Sequence, residues 1–432
     1  MPTLYLVSLG CSKNQVDSEA LLGLLLPRGY SLCAEPEQAD VLLVNTCAFI
    51  EPAREEAYEV ISELINRKAG SGKLVVCGCL VNRADDTLKK TFPGVDAWVQ
   101  IKDERNIFEL VSAWFPVESD SSPVPRIRIS PPHYAYLRIA DGCNHRCSFC
   151  AIPAIRGGYT SLPVTDIVGE AARLVGEGVV ELNVIAQDTS GYGRDLDSGQ
   201  RLPELLDALC TIDGIQWIRL QYLYPATITD QLLDVMTRRE KICRYVDLPL
   251  QHIADEVLKH MQRPGRAYTR ELLGRIQERL PGVTMRTSMI VGYPAETTEH
   301  FEELKAFIAE GHFHHLGVFE YSHEEDTPAF STSDRVPPGE KQRRREELML
   351  VQQQVSFEKN QQAVGESTVV LLDECPGPGT AVGRRPGDAP DVDNLVHVTG
   401  AEGLPPGSIV PVRITRAEPY DLYGHAELDG IV

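Results

Sequence analysis

The sequence predicts an α/β fold in three parts: a parallel-sheet α/β domain, a larger partial (βα) barrel and a small all-β barrel. Three observations carry this. Over the first 115 residues, short apolar β-branched runs alternate with amphipathic helical patterns. The alternation resumes between residues 131 and 362 as about six units. Beyond residue 363 the helical patterns stop, and apolar runs are divided by Gly and Pro turns. A chain of 432 residues is also too long for one hydrophobic core.

Taken in order, T-L-Y-L-V-S-L-G (Thr3 to Gly10) reads as a buried strand ended by glycine. S-E-A-L-L-G-L-L-L follows as a helix. D-V-L-L-V-N-T (Asp40 to Thr46) and K-L-V-V-C-G (Lys73 to Gly78) are further strands. Between them Ala53 to Arg67 is an amphipathic helix, with Pro52 near its first turn. The domain spans 1–115, and a linker over 116–130 follows, with P-V-E-S-D-S-S-P-V-P at its start. Barrel strands are expected at Tyr134–Ile139, Glu181–Ile185, Trp217–Gln221, Tyr245–Leu248, Thr284–Val291 and His315–Phe319. Helical patterns fall between them, and a polar helix from Lys341 onward connects to the tail, closing the 131–362 unit. The tail, 363–432, is the predicted all-β barrel, with runs V-V-L-L, H-V-T-G and V-P-V-R-I-T.

Composition narrows the function classes. Apolar content of 43% and charged content of 24% are those of a soluble globular protein. No apolar run approaches the ~20 residues of a membrane span. The N-terminus lacks the basic region of a signal peptide, so a cytoplasmic protein is expected. A formal net charge of −20 argues against a general nucleic-acid binder and suits a basic protein partner. Eleven cysteines in a reducing compartment point to metal or sulfur chemistry rather than disulfides.

The sharpest motif is D-G-C-N-H-R-C-S-F-C, which places Cys143, Cys147 and Cys150 directly after the first barrel strand. Barrels carry chemistry at the C-terminal ends of their strands. Three thiolates on one short loop can hold three irons of a 4Fe–4S cube and leave the fourth open to substrate. A zinc site would show a second C-x₂-C or paired histidines, and His145 is poorly placed as a fourth ligand.

Three more cysteines share a different signature. Cys11, Cys47 and Cys79 each follow a strand of the first domain. The C-terminal ends of parallel strands share one edge of the sheet, where α/β domains bind ligands. These residues are therefore expected to form a second three-thiol site. Cys77 is expected to point into the core, and Cys33, Cys210, Cys243 and Cys375 have no partner pattern.

The loop C-x₃-C-x₂-C, with Phe149 before the last cysteine, resembles the motif of radical S-adenosylmethionine enzymes. With the three-cysteine domain before it and the β tail after it, nearly the whole chain resembles the methylthiotransferases of that family, whose tail is a TRAM domain. The resemblance implies two 4Fe–4S clusters, S-adenosylmethionine as both radical source and methyl donor, and an external electron donor. It implies insertion of sulfur into an unactivated C–H bond. One branch modifies tRNA adenosine; the other modifies an aspartate β-carbon in protein twelve of the small ribosomal subunit. A-Q-D-T-S-G-Y-G (Ala186 to Gly193), D-L-P-L-Q-H (Asp247 to His252) and D-A-P-D-V-D (Asp388 to Asp393) resemble the protein-modifying branch. The tail carries eleven Asp or Glu against four Arg and no Lys, which suits a basic ribosomal protein better than tRNA. Alternatives kept open are the tRNA enzyme and a non-catalytic iron–sulfur or zinc protein. Candidate contacts to S-adenosylmethionine are Phe149, Ile152, Gln187, Asp188 and Gly292. Each has a plain alternative: packing for the apolar pair, helix capping for Asp188, a strand-ending turn for Gly292.

Overall fold

Five parallel strands open the chain in a computed structural model that describes residues 1–83, 86–117 and 122–428. They are β1 (Thr3–Ser8), β2 (Ser31–Leu32), β3 (Val41–Thr46), β4 (Lys73–Gly78) and β5 (Ala97–Val99), in the order β2-β1-β3-β4-β5. Helices α1 (Ser12–Leu25), α2 (Glu51–Arg67), α3 (Cys79–Arg83), α4 (Asp86–Thr91) and α5 (Ile107–Trp114) connect them. All six residues of β3 are buried, as a central strand covered on both faces requires. Its alternation divides the core. Leu42 and Val44 pack on Ala57, Ile61 and Leu64 of α2, whereas Val41 and Leu43 pack with Leu21, Leu22 and Leu25 of α1. The two short strands β2 and β5 are additions to the sequence reading. They are too brief to show a period.

The barrel strands are β6 (Tyr134–Arg138), a short pair β7 (Ala140–Asp141) and β8 (Thr160–Ser161), then β9 (Glu181–Ile185), β10 (Trp217–Leu220), β11 (Tyr245–Asp247), β12 (Thr284–Val291) and β13 (His315–Glu320). Strands β6, β9 and β10 are parallel neighbours, as are β11, β12 and β13. A parallel bridge from Ile218 to Ile242 joins the two halves. Six parallel strands thus follow one another in chain order as a partial barrel. Around them lie α6 (Ile152–Arg156), α7 (Val164–Gly176), α8 (Leu202–Cys210), α9 (Asp230–Arg238), α10 (Asp255–His260), α11 (Arg266–Arg279) and α12 (Thr298–Ala309). Local signals place their ends. The Thr229 hydroxyl accepts the Leu232 N–H at 3.2 Å and starts α9. Among the described residues no helix is long and apolar enough to cross a membrane.

A 26-residue helix, α13 (Pro338–Ala363), leads to the tail. There β14 (Ser367–Gly377), β15 (Thr380–Arg384), β16 (Val396–Thr399), β17 (Ile409–Ala417) and β18 (Leu422–Ala426) close in the order β14-β15-β16-β18-β17. This small barrel docks under the large one, at the N-terminal ends of its strands. Glu181, fully buried, is held by Arg219 at 2.9 Å and Arg384 at 2.8 Å. Asp373 pairs with Arg384 and with His133, each at 2.8 Å. Asp388 meets Arg385 at 2.8 Å and His315 at 3.2 Å. Asp391 accepts the Tyr136 hydroxyl at 2.8 Å, and Asp393 accepts that of Tyr245 at 2.7 Å. This corrects the reading of the tail's charge. Asp373, Asp388, Asp391 and Asp393 bond within the chain, so much of the acidity counted for a partner serves the domain junction instead. Glu366, Glu374 and Glu402 remain exposed.

Candidate active site

The three-cysteine loop leaves the barrel top between β7 and β8. Its base is pinched shut. Gly142 has φ +75°, and a Cβ there would lie 2.2 Å from the Gly158 carbonyl oxygen. Only glycine fits. The Cys143 N–H donates to the Gly157 carbonyl at 3.1 Å, and the Cys150 N–H donates to the Cys147 carbonyl at 3.1 Å. Ser148 fixes the tip: its hydroxyl donates to the His260 carbonyl at 2.8 Å, and its own carbonyl accepts the Ala329 N–H at 2.8 Å. Cys143 and Cys147 are buried and Cys150 half-buried. Burial pushes the Cys143 thiol up and the Cys150 thiol up to about 12, and in each case neighbouring thiols of the loop add to the effect. Arg263 opposes it, with its guanidinium 3.6 Å from the Cys147 sulfur.

The second group forms at the first sheet's edge. The strand order reverses at β1, so the crevice beyond β1 and β3 is the topological switch point. Cys11 follows β1, Cys47 follows β3, and Cys79 opens α3 after β4. Gly10, at φ +93°, lets Cys47 approach: a Cβ on it would stand 2.6 Å from the Cys47 Cβ. Asn14 ties the strand ends, donating to the carbonyls of Leu9 at 3.0 Å and Thr46 at 2.9 Å. Cys77 is fully buried among Leu43 and Val75. Cys79, by contrast, lies within the field of Cys47 and Cys11. The three thiols differ. Burial pushes Cys11 up, but Lys13, the backbone N–H groups of Asn14 and Lys13, and Arg156 outweigh it, leaving Cys11 below the ordinary thiol value. Burial keeps Cys47 above that value and lifts Cys79 to about 12.

The two groups face each other across one seam. Arg156, at the end of α6 just past Cys150, crosses it. The guanidinium donates to Asn14 Oδ1 and Asp17 Oδ2, both at 2.7 Å, and lies 3.6 Å from the Cys79 sulfur. Arg138 holds the other oxygen of Asp17. Asn82 of α3 donates to the Ile155 carbonyl at 2.7 Å. At the rim Arg54 and Arg83 both pair with Glu324.

Among the described residues no three His, Cys, Asp or Glu side chains close on a single ion position. Zinc needs sulfurs at ~2.3 Å from one centre. A polynuclear centre, by contrast, spreads its ligands over several metals.

The remaining candidates line the barrel group. Phe149 packs on the Ala254, Met261 and Tyr293 cluster. Ile152 is the half-buried first residue of α6. Gln187 donates to Asp141 at 2.9 Å, while its Oε1 is buried and meets no donor among the described residues. Asp188 is committed locally: it accepts the Gly191 N–H at 3.0 Å and faces His145 Nε2 at 2.7 Å. Here the capping alternative describes the residue. His145 stacks on Tyr224, 3.6 Å between centroids. Gly292 has φ +74°, and its Cβ position is filled by the Lys341 stem at 2.3 Å. That face of Gly292 makes room for Lys341 rather than for an adenosyl group.

Sequence reasoning missed Lys13, Asn14, Asp17, Arg156, Tyr224 and Arg263. A signal existed for two of them: C-S-K-N places a cation and an amide directly after Cys11, on the first turn of a helix.

Comparison with known proteins adds three matches. The uncharacterized protein family UPF0004 matches residues 3–100, the radical SAM superfamily 137–308, and the TRAM domain 364–426. A ribosomal protein uS12 methylthiotransferase RimO of Anaeromyxobacter sp. (strain Fw109-5) is 44% identical, with 98% of this chain and 92% of the relative covered. A RimO of Aquifex aeolicus (strain VF5) is also 44% identical, covering 97% and 96%. Among solved structures, the radical S-adenosylmethionine methyltransferase TsrM from Kitasatospora setae, with cobalamin and a [4Fe-4S] cluster bound, superposes with TM-score 0.54 at 16% identity, over 88% of this chain and 81% of that one. The cobalamin-dependent radical enzyme OxsB gives 0.52 at 10%, over 81% and 56%. At such identities the likeness is one of fold.

Proposed function

The chain belongs to the RimO family of radical S-adenosylmethionine methylthiotransferases and is an enzyme, and on that premise we propose that it attaches a methylthio group to the β-carbon of an aspartate in ribosomal protein uS12. The observation that carries this reading is the pair of three-thiol groups facing one seam in a chain alike to RimO over almost its full length.

Cys143, Cys147 and Cys150 would hold one 4Fe–4S cluster, and Cys11, Cys47 and Cys79 a second. When bound, the first, with S-adenosylmethionine and an external electron donor, supplies a 5′-deoxyadenosyl radical, and the second supplies sulfur. The chain's own residues set the conditions. The closed base at Gly142 and the anchor at Ser148 keep the barrel loop's thiols in one arrangement. Phe149 and its apolar neighbours exclude water from one side of that loop. The buried Gln187 Oε1 is an acceptor for an ammonium group, such as that of S-adenosylmethionine. Arg156, on the helix that follows the barrel loop, and Asn14 tie that helix to the sheet-edge group. The reaction would take place in the cytoplasm, with uS12 or the assembling small subunit rather than tRNA as partner.

The test is direct. Reduced enzyme is incubated with S-adenosylmethionine and either uS12 or tRNA, and the added methylthio mass is sought on each. Mass on uS12 is expected. Mass on tRNA alone would overturn the reading.

A further inference from the structure

We infer that Lys13 is the anchor for the carboxylate of the target aspartate, an assignment that rests on the substrate reading above. Lys13 stands on the first turn of α1, two residues past Cys11, and only 8% of it is exposed. Its ammonium faces a ring, with Nζ 3.2 Å from the centroid of Tyr222, and lies within the field of Cys11. Tyr222 comes from the other side of the seam, just beyond β10. Its backbone is held in the left-handed region at φ +60°, where its N–H donates to Asp247 at 2.9 Å. A non-glycine residue persists there only when its surroundings impose it. The result is a cation held beside Cys11 and against a residue of the barrel.

What it lacks is a carboxylate partner. Among the described residues no carboxylate lies within ion-pair distance of Lys13. The natural one is Asp17, one turn along the same helix. Both Asp17 oxygens are already taken, Oδ1 by Arg138 and Oδ2 by Arg156. Arg138 and Arg156 thus share the carboxylate that the lysine could have used. Arg263, near Cys147, likewise meets no carboxylate among the described residues, but it donates to the Pro249 carbonyl and to sulfur. A buried ammonium that faces a ring and a thiol but no carboxylate gains further from an anion that pairs with it directly. The substrate side chain carries that anion, one bond from the carbon to be modified. Pairing it with Lys13 would both offset its desolvation and orient its β-carbon toward the seam.

The experiment uses the cluster-loaded full chain, labelled uS12, and uS12 with the target aspartate replaced by asparagine. Unmodified enzyme is expected to bind the aspartate form at least tenfold more tightly than the asparagine form. Lys13→Gln is expected to bind both alike and to raise KM for uS12 at least tenfold, with the iron content per chain unchanged. Lys13→Arg should recover most of the discrimination. If Lys13→Gln keeps the preference for aspartate, the assignment is overturned while the substrate reading stands. If Lys13→Gln instead loses about half its iron, the lysine serves the thiols at Cys11 and the assignment also falls. If unmodified enzyme leaves uS12 unmodified, the substrate reading fails first and takes this assignment with it.

Discussion

The two three-thiol groups solve one problem by opposite routes. Cys143, Cys147 and Cys150 lie within one loop, closed at its base by Gly142 against Gly158. Cys11, Cys47 and Cys79 come from three strand ends and meet only because β1, β3 and β4 are neighbours in register. The first group is built by a turn and the second by a whole sheet. A local group tolerates damage elsewhere; a distributed one depends on every contact that holds its sheet edge together.

Breaking each group separately gives the largest effects. Cys143→Ala is expected to abolish 5′-deoxyadenosine formation altogether, measured by chromatography after reduction. Cys11→Ala is expected to keep that cleavage and lose all methylthio transfer, with about half the iron retained if each group holds one cluster. Full methylthiolation by Cys11→Ala would remove the second group from the chemistry. Next comes the tie between them. Arg156 and Asp17 are both buried, and removing one partner of such a pair costs ~3–5 kcal/mol. Arg156→Met should therefore lower the thermal midpoint by several degrees and detach the first domain's signal from the barrel's in calorimetry. An unchanged single transition would show that other seam contacts suffice.

A smaller lesion sharpens the contrast. Gly10→Ala introduces strain at φ +93° and a clash with Cys47, ~1–3 kcal/mol by the usual cost of such positions. It is expected to deplete iron from the sheet-edge group alone, leaving the barrel loop's electron-paramagnetic signal intact. The smallest effect is one of reactivity. In metal-free protein, Cys11 is below the ordinary thiol value while burial holds Cys150 at about 12. The thiolate is the reactive form. Iodoacetamide should therefore label Cys11 first near pH 8. Raising the pH to 10 should speed Cys150 roughly in proportion to hydroxide while Cys11 levels off. Equal pH slopes, read by peptide mass spectrometry, would contradict this difference.

The same contrast explains what could be read from the sequence. Long periodic runs such as Thr284–Val291 announced their strands, and both ends agree with the structure. The parallel order and the small β barrel followed from alternation and from its loss. The charge of the tail was overcounted, because counting acids does not reveal that Asp388 and Asp393 face Arg385 and Arg286. Arg156 was invisible for a related reason. Its partners Asn14 and Asp17 lie some 140 residues earlier, at 142 and 139 positions' separation, and no local pattern encodes that meeting. Gly292 shows the limit of motif reading: the turn is present, but the atoms beside it belong to Lys341.

Helix α13 begins beside the thiol seam's end of the barrel, where Lys341 donates to the Tyr321 carbonyl at 2.9 Å. It ends at the opposite face, where Asn360 donates to the carbonyls of Glu418 and Tyr420 at 3.1 and 3.0 Å. Its 26 residues span ~39 Å at 1.5 Å each. The helix is therefore a ruler. The separation between the chemistry and the tail is written as a residue count, and a protein that engages both must match that measure along its own surface. Removing four residues would take ~6 Å from the span and ~40° from the tail's setting about the helix axis, against the buried pairs that lock the tail to the barrel. The reach of the molecule is thus a heritable length, set one residue at a time.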